Sequence, residues 1–462
     1  MSEHASTQLT ERLDIRPWSM AKVALPVSLG IFVQFIVVVI DNYFVAQLDG
    51  NAMSAVAFVG LIYITLAMLG VGLGNATQIL VARRKGQGDF TIVGQVLGNA
   101  FFMAFIVGLL QFLALYFLMP AIINHTIESH EVKAYMHEFI TWRAIGFLVY
   151  TPLLVLNSFW SGIAHTRVLV YMTLITSIVT VSLDYALIFG NFGFSAMGVE
   201  GAGIATVSAE CCAFLFVLIY TLNQSNTQLQ AIRPEASYDV KRWLFSGCRM
   251  HSKALANLGG PIALQMVLSL GIWTVFYEFV ESMGEHELQS SFIVRNMYTL
   301  VYVSVGGFST AAKTYISGLI AERRQEELHT AMKRLMLLNF CGIALMSHGL
   351  WLYPEWIARQ FTQEPIVIAQ TIDIMLVVLP AMLTFSVTSI MLATVEGSGN
   401  TIAGFLVEIL TVSIYIIAAY LMVYEWHWPI HLVWVADWVY FIALGIFSLL
   451  FLWNGKWKWK TI

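Results

Sequence analysis

Residues 18–45 read WSMAKVALPVSLGIFVQFIVVVIDNYFV, and residues 253–280 read KALANLGGPIALQMVLSLGIWTVFYEFV. Each is long and apolar enough for a membrane-spanning helix, which needs about 20 mostly apolar residues. Laid one on the other, they set Pro26 against Pro261 and Phe44-Val45 against Phe279-Val280. Working outward in the same register, Tyr63 meets Tyr298, Gly72 meets Gly307 and Ala76 meets Ala311. Further along, Gly162 meets Gly397, Thr166 meets Thr401 and Tyr185 meets Tyr420. One gapless shift therefore aligns landmarks from the first span to the fifth, which identifies an internal duplication.

The composition agrees. Of the 462 residues, 58% are hydrophobic and 11% charged, and mean hydropathy is +0.74. A soluble domain carries about 25% charged residues to keep its surface hydrated. The net charge of −4 gives no sign of nucleic-acid binding. Cys211, Cys212, Cys248 and Cys341 have neither zinc nor disulfide spacing and read as packing thiols. The polar start, Met1 to Pro17, lacks the layout of a cleaved signal peptide.

Twelve spans follow from apolar length: 18–45, 52–78, 91–119, 133–160, 168–190, 201–224, 254–282, 288–317, 332–352, 364–395, 402–424 and 432–454. The clusters Arg83-Arg84-Lys85-Gly86 and Glu322-Arg323-Arg324, and the stretch from Gly190 to Glu200, read as turns between spans. Pro380 predicts a kink or tilt in the tenth span. With both termini inside, 19 of the 24 Lys and Arg fall on the cytoplasmic side, and only Lys133 and Arg359 lie outside. Positive charge orients membrane proteins in this way. The tail Trp457-Lys458-Trp459-Lys460 reads as an interfacial anchor.

The fold class is thus an all-α membrane protein of twelve transmembrane helices in two pseudo-symmetric six-helix bundles. A cytoplasmic segment (1–17) precedes the first bundle (18–224). A cytoplasmic linker (225–252) leads to the second bundle (253–455) and a cytoplasmic tail (456–462). Each half has an even number of spans, so the repeats are parallel, and two facing bundles frame a cleft suited to alternating access.

Leu183-Asp184-Tyr185-Ala186-Leu187-Ile188-Phe189-Gly190, followed by Gly193-Phe194, Gly198-Val199 and Gly201-Ala202-Gly203-Ile204-Ala205-Thr206, resembles the multidrug and toxic compound extrusion (MATE) family. Pro26 and Asp41, the stretch from Arg84 to Asp89, and that from Gly162 to Thr166 extend the resemblance over nearly the whole chain. It implies a twelve-helix antiporter exporting drugs or metabolites, driven by sodium ions or protons. The chain departs from the family at Thr180, where Asn is frequent, and at Ser195, where Pro is. The middle of the tenth span holds Met382, Thr384 and Ser386, with Asp373 nearer its outer end, where some members carry a deeper acid.

A charge at the bilayer centre costs at least about 2.5 kcal/mol, so embedded charges are candidate functional groups. Asp41 lies about 34 Å along the first span, and Asp184 about 25 Å past Arg167, at 1.5 Å per residue. Both fall in the outer part of the first bundle. Two carboxylates in an apolar site repel each other and are poorly hydrated. A proton, a cation or a cationic substrate relieves that cost, and competition among them is a physical basis for antiport. A sodium ion at Asp41 and Asp184 is one such occupant; no other metal site is expected.

Thr180, one turn before Asp184, joins this coupling site, and Glu278 in the seventh span is a further cation-binding candidate. Gln34, Asn157 and Thr206 are candidates for the substrate cavity. Pro26 is the expected bending point, a role the family implies. Arg295 is expected to be structural or gating, and Arg295 and Arg143 are natural bridge partners for Glu278, Glu138 or Asp373. Glu210, Glu408 and Asp437 also lie within spans and suit inter-helix hydrogen bonding. No HExxH, Asp-rich prenyl-diphosphate or Gly-rich phosphate motif is present, so neither an enzyme nor a cofactor is expected. The expected partners are a small-molecule substrate of the organic-cation class, H+ or Na+, and the lipid bilayer, with the protein a monomer in the inner membrane. A lipid-linked precursor flippase of the same superfamily is the alternative, and it predicts a more basic cavity.

Overall fold

The computed structural model describes residues 12–230, 240–244 and 249–462. Cys248, Arg233 and part of the predicted linker 225–252 lie outside them, as does most of the predicted N-terminal segment. The long helices are α1 (Pro17–Ala46), α2 (Gly50–Gly86), α3 (Phe90–Thr126), α4 (His130–Gly162), α5 (Arg167–Phe189) and α6 (Gly198–Gln230) in the first half. The second half has α7 (Ser252–Glu281), α8 (Glu285–Ala321), α9 (Leu328–Leu352), α10 (Pro365–Gly397), α11 (Thr401–Glu425) and α12 (Ile430–Trp453). In the register that sets Pro26 on Pro261, the bounds of α1, α2 and α4 coincide with those of α7, α8 and α10.

Among the described residues, eleven of these helices are long and apolar enough to cross a membrane. The twelfth, α8, carries Glu285, Glu287, Arg295 and Lys313 along its 37 residues. Exposed side chains such as Ile178, Leu345 and Trp453 belong against lipid, since a water-soluble surface does not sustain so much contiguous apolar area. One boundary differs from expectation. Arg83, Arg84 and Lys85 do not form a turn but make up the last turn of α2, where positive charge is favourable to the helix dipole. Helix α10 runs through Pro380 without interruption.

The apolar cores show how the halves are joined. On the side of the molecule opposite the termini, one core belongs to the first half alone, with Val45, Val59, Phe139 and Phe147. A second belongs to the second half alone, with Phe276, Met375, Tyr415 and Trp434. On the side carrying the termini, the cores are shared. Met20, Val23 and Ala24 of α1 pack with Phe308, Ala312, Ile316 and Leu335 of the second half. Leu255, Leu258 and Ile262 of α7 pack with Leu73, Leu80, Val96 and Phe159 of the first. Each lobe thus lends the start of its first helix to the other.

Two glycines make this exchange possible. A Cβ at Gly72 of α2 would stand 2.6 Å from the Gly259 carbonyl oxygen and from the Ala263 Cβ on α7. At the equivalent Gly307 of α8, a Cβ would stand 2.6 Å from the Ala24 carbonyl oxygen and still closer to Ser28 on α1. Pro26 lies between Ala24 and Ser28, and Pro261 between Gly259 and Ala263. Each internal proline, which removes a helix hydrogen bond, therefore sits on the contact that joins the lobes.

Hydrogen bonds between the lobes, among the described residues, lie on the same side. Gln78 Nε2 donates to the Thr310 carbonyl (2.7 Å) and to Thr314 (2.8 Å), and Ser317 donates to the Ile79 carbonyl (2.8 Å). The tails cross over as well. Arg324 and Arg334 hold the carbonyls of Leu13 and Ile15, both at 2.8 Å. Arg83 holds Lys460 (2.6 Å) and Ser398 (3.0 Å), and Arg84 holds the Ile462 carbonyl (2.6 Å). The tail read as an interfacial anchor packs in part against the protein: Trp457 is buried, its indole donating to the Leu452 carbonyl, while Trp459 stays exposed. At the N-terminal strap, the Ser19 hydroxyl and the Arg16 backbone N–H hold the Asp14 carboxyl down to about 2, from an ordinary 3.8. That folded value lies below the unfolded one, so the contact is intact above the ordinary carboxylate range and lost only as pH falls toward 2.

Gly72→Val and Gly307→Val should each force α2 from α7 or α8 from α1, at a cost of about 1–3 kcal/mol of overpacking. Thermal unfolding in detergent should show a lower midpoint for both. Gly60→Ala, where a Cβ meets nothing within 4 Å, should leave the midpoint unchanged or slightly raised.

Candidate functional site

The buried acid of the first lobe owes its position to the hairpin between α5 and α6. Gly190 ends α5 in the left-handed region (φ 74°), its N–H bonded to the Ala186 carbonyl. The chain then folds back, the Met197 N–H donating to the Leu187 carbonyl at 2.8 Å and the Asn191 amide to the Tyr185 carbonyl at 3.1 Å. This tight return presses α6 onto α5 and leaves Asp184 with 0% exposure. Thr180, one turn earlier, is buried too.

Asp41 of α1 is half-buried and close enough for its charge to act on Asp184. Neither oxygen of Asp184 has a hydrogen-bond partner among the described residues, nor have Oδ1 of Asp41 and Oδ1 of Asn157. A buried carboxylate left this way carries a large desolvation cost. The structure thus gathers Asp41, Asp184 and Thr180 in the far half of the first lobe.

A cation is nearby but engaged. Arg143 of α4 bridges Glu210 of α6 at 3.0 Å, with both side chains nearly enclosed. Its guanidinium lies 3.7 Å from the centroid of the Tyr63 ring, close enough for a cation–π contact. Tyr63 in turn stacks on Phe147 and donates to Glu210 at 3.5 Å. The expected bridges from Arg143 to Glu278, Glu138 or Asp373 are therefore replaced by one to Glu210, since α4 and α6 pack side by side within one lobe. The field of Arg143 still reaches Asp41, but its ion pair is with Glu210, so Asp41, Asp184 and Glu210 outnumber this one cation and Asp184 has no cationic partner among the described residues.

The other candidates are more dispersed. Gln34 is exposed and Asn157 is half-buried. The Thr206 hydroxyl donates to the Ala202 carbonyl of its own helix at 2.9 Å. Pro26 lies inside an unbroken α1. Glu278 and Arg295 are both exposed, and Arg295 sits 5.3 Å from the Tyr277 ring centroid rather than in an ion pair among the described residues. Sequence reasoning missed the Arg143–Glu210–Tyr63 cluster and the ion pair of Lys313 with Glu396 (2.9 Å) in the second lobe. The signal available was that both arginine and lysine lie inside apolar spans, where a cation needs a carboxylate.

Comparison with known proteins extends this picture. The MatE family profile matches residues 26–186 and 261–421, two segments in the register of the internal duplication. The probable multidrug resistance protein NorM of Thermotoga maritima is 23% identical over 96% of this chain and 93% of its own length. A MOP superfamily transporter from Pyrococcus furiosus superposes with a TM-score of 0.87 at 18% identity, each chain covered completely. A crystal structure of MATE in the straight conformation gives 0.86 at 19% identity over 98% of both chains. The chain is a multi-pass membrane protein that belongs to the multidrug and toxic compound extrusion (MATE) family of transporters.

Proposed function

We propose that this transporter is a cation-coupled antiporter that exports organic cations or related metabolites by alternating access, with H+ or Na+ and substrate competing for the first lobe. The observation that carries the reading is Asp184: a wholly buried carboxylate, both oxygens without a partner among the described residues, within reach of a second carboxylate at Asp41. A proton shared by the pair, or a monovalent cation between them, supplies the missing partner. A cationic substrate supplies it as well, so occupation by one expels the other.

The excess of Lys and Arg supports an orientation with both termini on the cytoplasmic side of the inner membrane. The shared cores and crossed tails then close the cytoplasmic side, and the cleft opens outward. In this state the ion enters from outside and displaces substrate. Return to the inward-facing state requires the lobes to roll over the Gly72 and Gly307 contacts, and the proline at each contact offers a place for α1 or α7 to bend. Thr180, Asn157 and Gln34 contribute polar lining along the way. The excess of acid in the first lobe supports cations over phosphate-bearing lipids.

Ethidium efflux from proteoliposomes under an imposed proton or sodium gradient tests this reading. Wild type should couple to one of the gradients. Asp41→Asn and Asp184→Asn should fall to the leak of empty vesicles while unfolding at wild-type temperature. Normal coupled efflux by both variants removes the pair from the mechanism, and movement of a lipid-linked sugar in place of ethidium supports a flippase.

The Arg143–Glu210 pair separates structure from transport. Arg143→Met leaves Glu210 buried without its cation and should destabilise the protein by about 3–5 kcal/mol. Adding Glu210→Gln should recover most of that loss, read from denaturant unfolding in detergent.

A further inference from the structure

The second lobe contains a buried acid that the proposed exchange does not use. Glu408 of α11 is 1% exposed. One of its oxygens accepts from the Ser269 hydroxyl of α7 and from the Tyr440 hydroxyl of α12, the latter at 2.5 Å. From α10 it faces Glu396, and from α8 its charge reaches Tyr302, which also feels Asp437 of α12. No cation pairs with Glu408 among the described residues. The neighbouring Lys313 is already matched by Glu396 at 2.9 Å.

This acid stands at the end of a polar chain that reaches the other lobe. Lys313 of α8 donates to Asn75 of α2 at 2.7 Å. Glu396, on its other oxygen, accepts from Gln265 of α7 at 3.0 Å. Gln265 is 6% exposed, and its own Oε1 has no partner among the described residues although it lies against α11 at Gly404. Ser269, which holds Glu408, is one turn further along the same face of α7.

The duplication provides a control. The positions equivalent to Gln265, Lys313, Glu396 and Glu408 are Gly30, Gln78, Ser161 and Thr173. Both halves make the same crossing: Lys313 reaches Asn75, and Gln78 reaches Thr310, the residue equivalent to Asn75. Gly30 likewise packs on Thr173, at 3.1 Å from where a Cβ would stand. The first half thus makes its crossing from uncharged residues, so the crossing itself does not require the charges of the second.

We propose that Glu408 is a second proton-binding site, in the second lobe, and that its proton is held while the terminal side is sealed and released when that side opens. The physical argument is hydration. Enclosed by Ser269, Tyr440, Tyr302 and Glu396 with no compensating cation among the described residues, an ionised carboxyl here carries a desolvation cost that a bound proton removes. When α8 leaves α2, the Lys313–Asn75 crossing breaks and water reaches the α7 seam, where an ionised carboxylate is no longer penalised. By linkage, rising pH favours the opened terminal side. The proposal deepens the transport reading, on which its place in a cycle rests.

The test needs neither substrate nor gradient. Spin labels at Gln87→Cys and Glu326→Cys, both exposed on the terminal side, report the separation of the lobes in purified full-length protein as pH is raised. Wild type and Asp184→Asn should shift toward the open distance. Glu408→Gln, and Glu408→Thr, which installs the residue of the first half, should lose that response. Curves for both Glu408 variants that overlay wild type overturn the assignment, as does a wild-type distance that ignores pH. A flat Glu408→Gln curve in a protein that moves no ethidium keeps the proton site and removes the antiport reading.

Discussion

The architecture turns on two backbone contacts, α2 on α7 at Gly72 and α8 on α1 at Gly307. In lipid the apolar surfaces of two bundles gain nothing by meeting each other rather than acyl chains, so close packing has to hold them together. Glycine allows helix backbones to approach to that distance, and the helices then bury the shared cores on the terminal side. The contacts are small and lie at one level of the molecule. A seam of this kind is strong enough to join the lobes and narrow enough to act as a fulcrum, and the proline beside each glycine contact weakens the helix where a rotation would bend it.

Much of this was legible in the chain because bilayer thickness and duplication write themselves into sequence. Helix length follows from apolar length, and the single register that matches Pro26 to Pro261 also recovers the helix bounds of α1, α2 and α4 in α7, α8 and α10. The nearness of Asp41 to Asp184 could be anticipated for the same reason, since equal depth can be counted along a helix. What could not be counted was rotation about the helix axis and the choice of neighbour. Arg143 had three plausible acids at similar depth, and only the packing of α4 on α6 selects Glu210. The Arg83-Arg84-Lys85 cluster read as a turn because charge usually marks the end of a span. In the fold it does mark the end, but from inside the helix, with the carbonyls of the opposite tail as partners for Arg83 and Arg84.

The two halves share a backbone plan and differ in electrostatics, and the difference bears on mechanism. A symmetric pair of lobes with identical sites would have no reason to couple one ligand to another. In the first lobe, the one arginine of this cluster pairs with Glu210, and Asp184 is left with no donor among the described residues. In the second, an equal pair of charges, Lys313 and Glu396, occupies the crossing between lobes, and Glu408, with no cation among the described residues, is held by Ser269, one turn along α7 from the Gln265 that donates to Glu396. The excess charge of the first lobe lies in the half away from the termini, and that of the second lies beside the contacts that join the lobes.

Such a division separates two tasks that a single site performs poorly. A group that binds ion and substrate in turn has to be reachable from the open side. A group that reports whether the opposite side is closed has to be dry when that side is sealed and wet when it opens. No carboxylate at one depth can satisfy both conditions, because hydration there follows one gate only. Duplication supplies two equivalent scaffolds, and a few substitutions at matched positions, Gly30 against Gln265 and Thr173 against Glu408, suffice to give each scaffold its own electrostatic role.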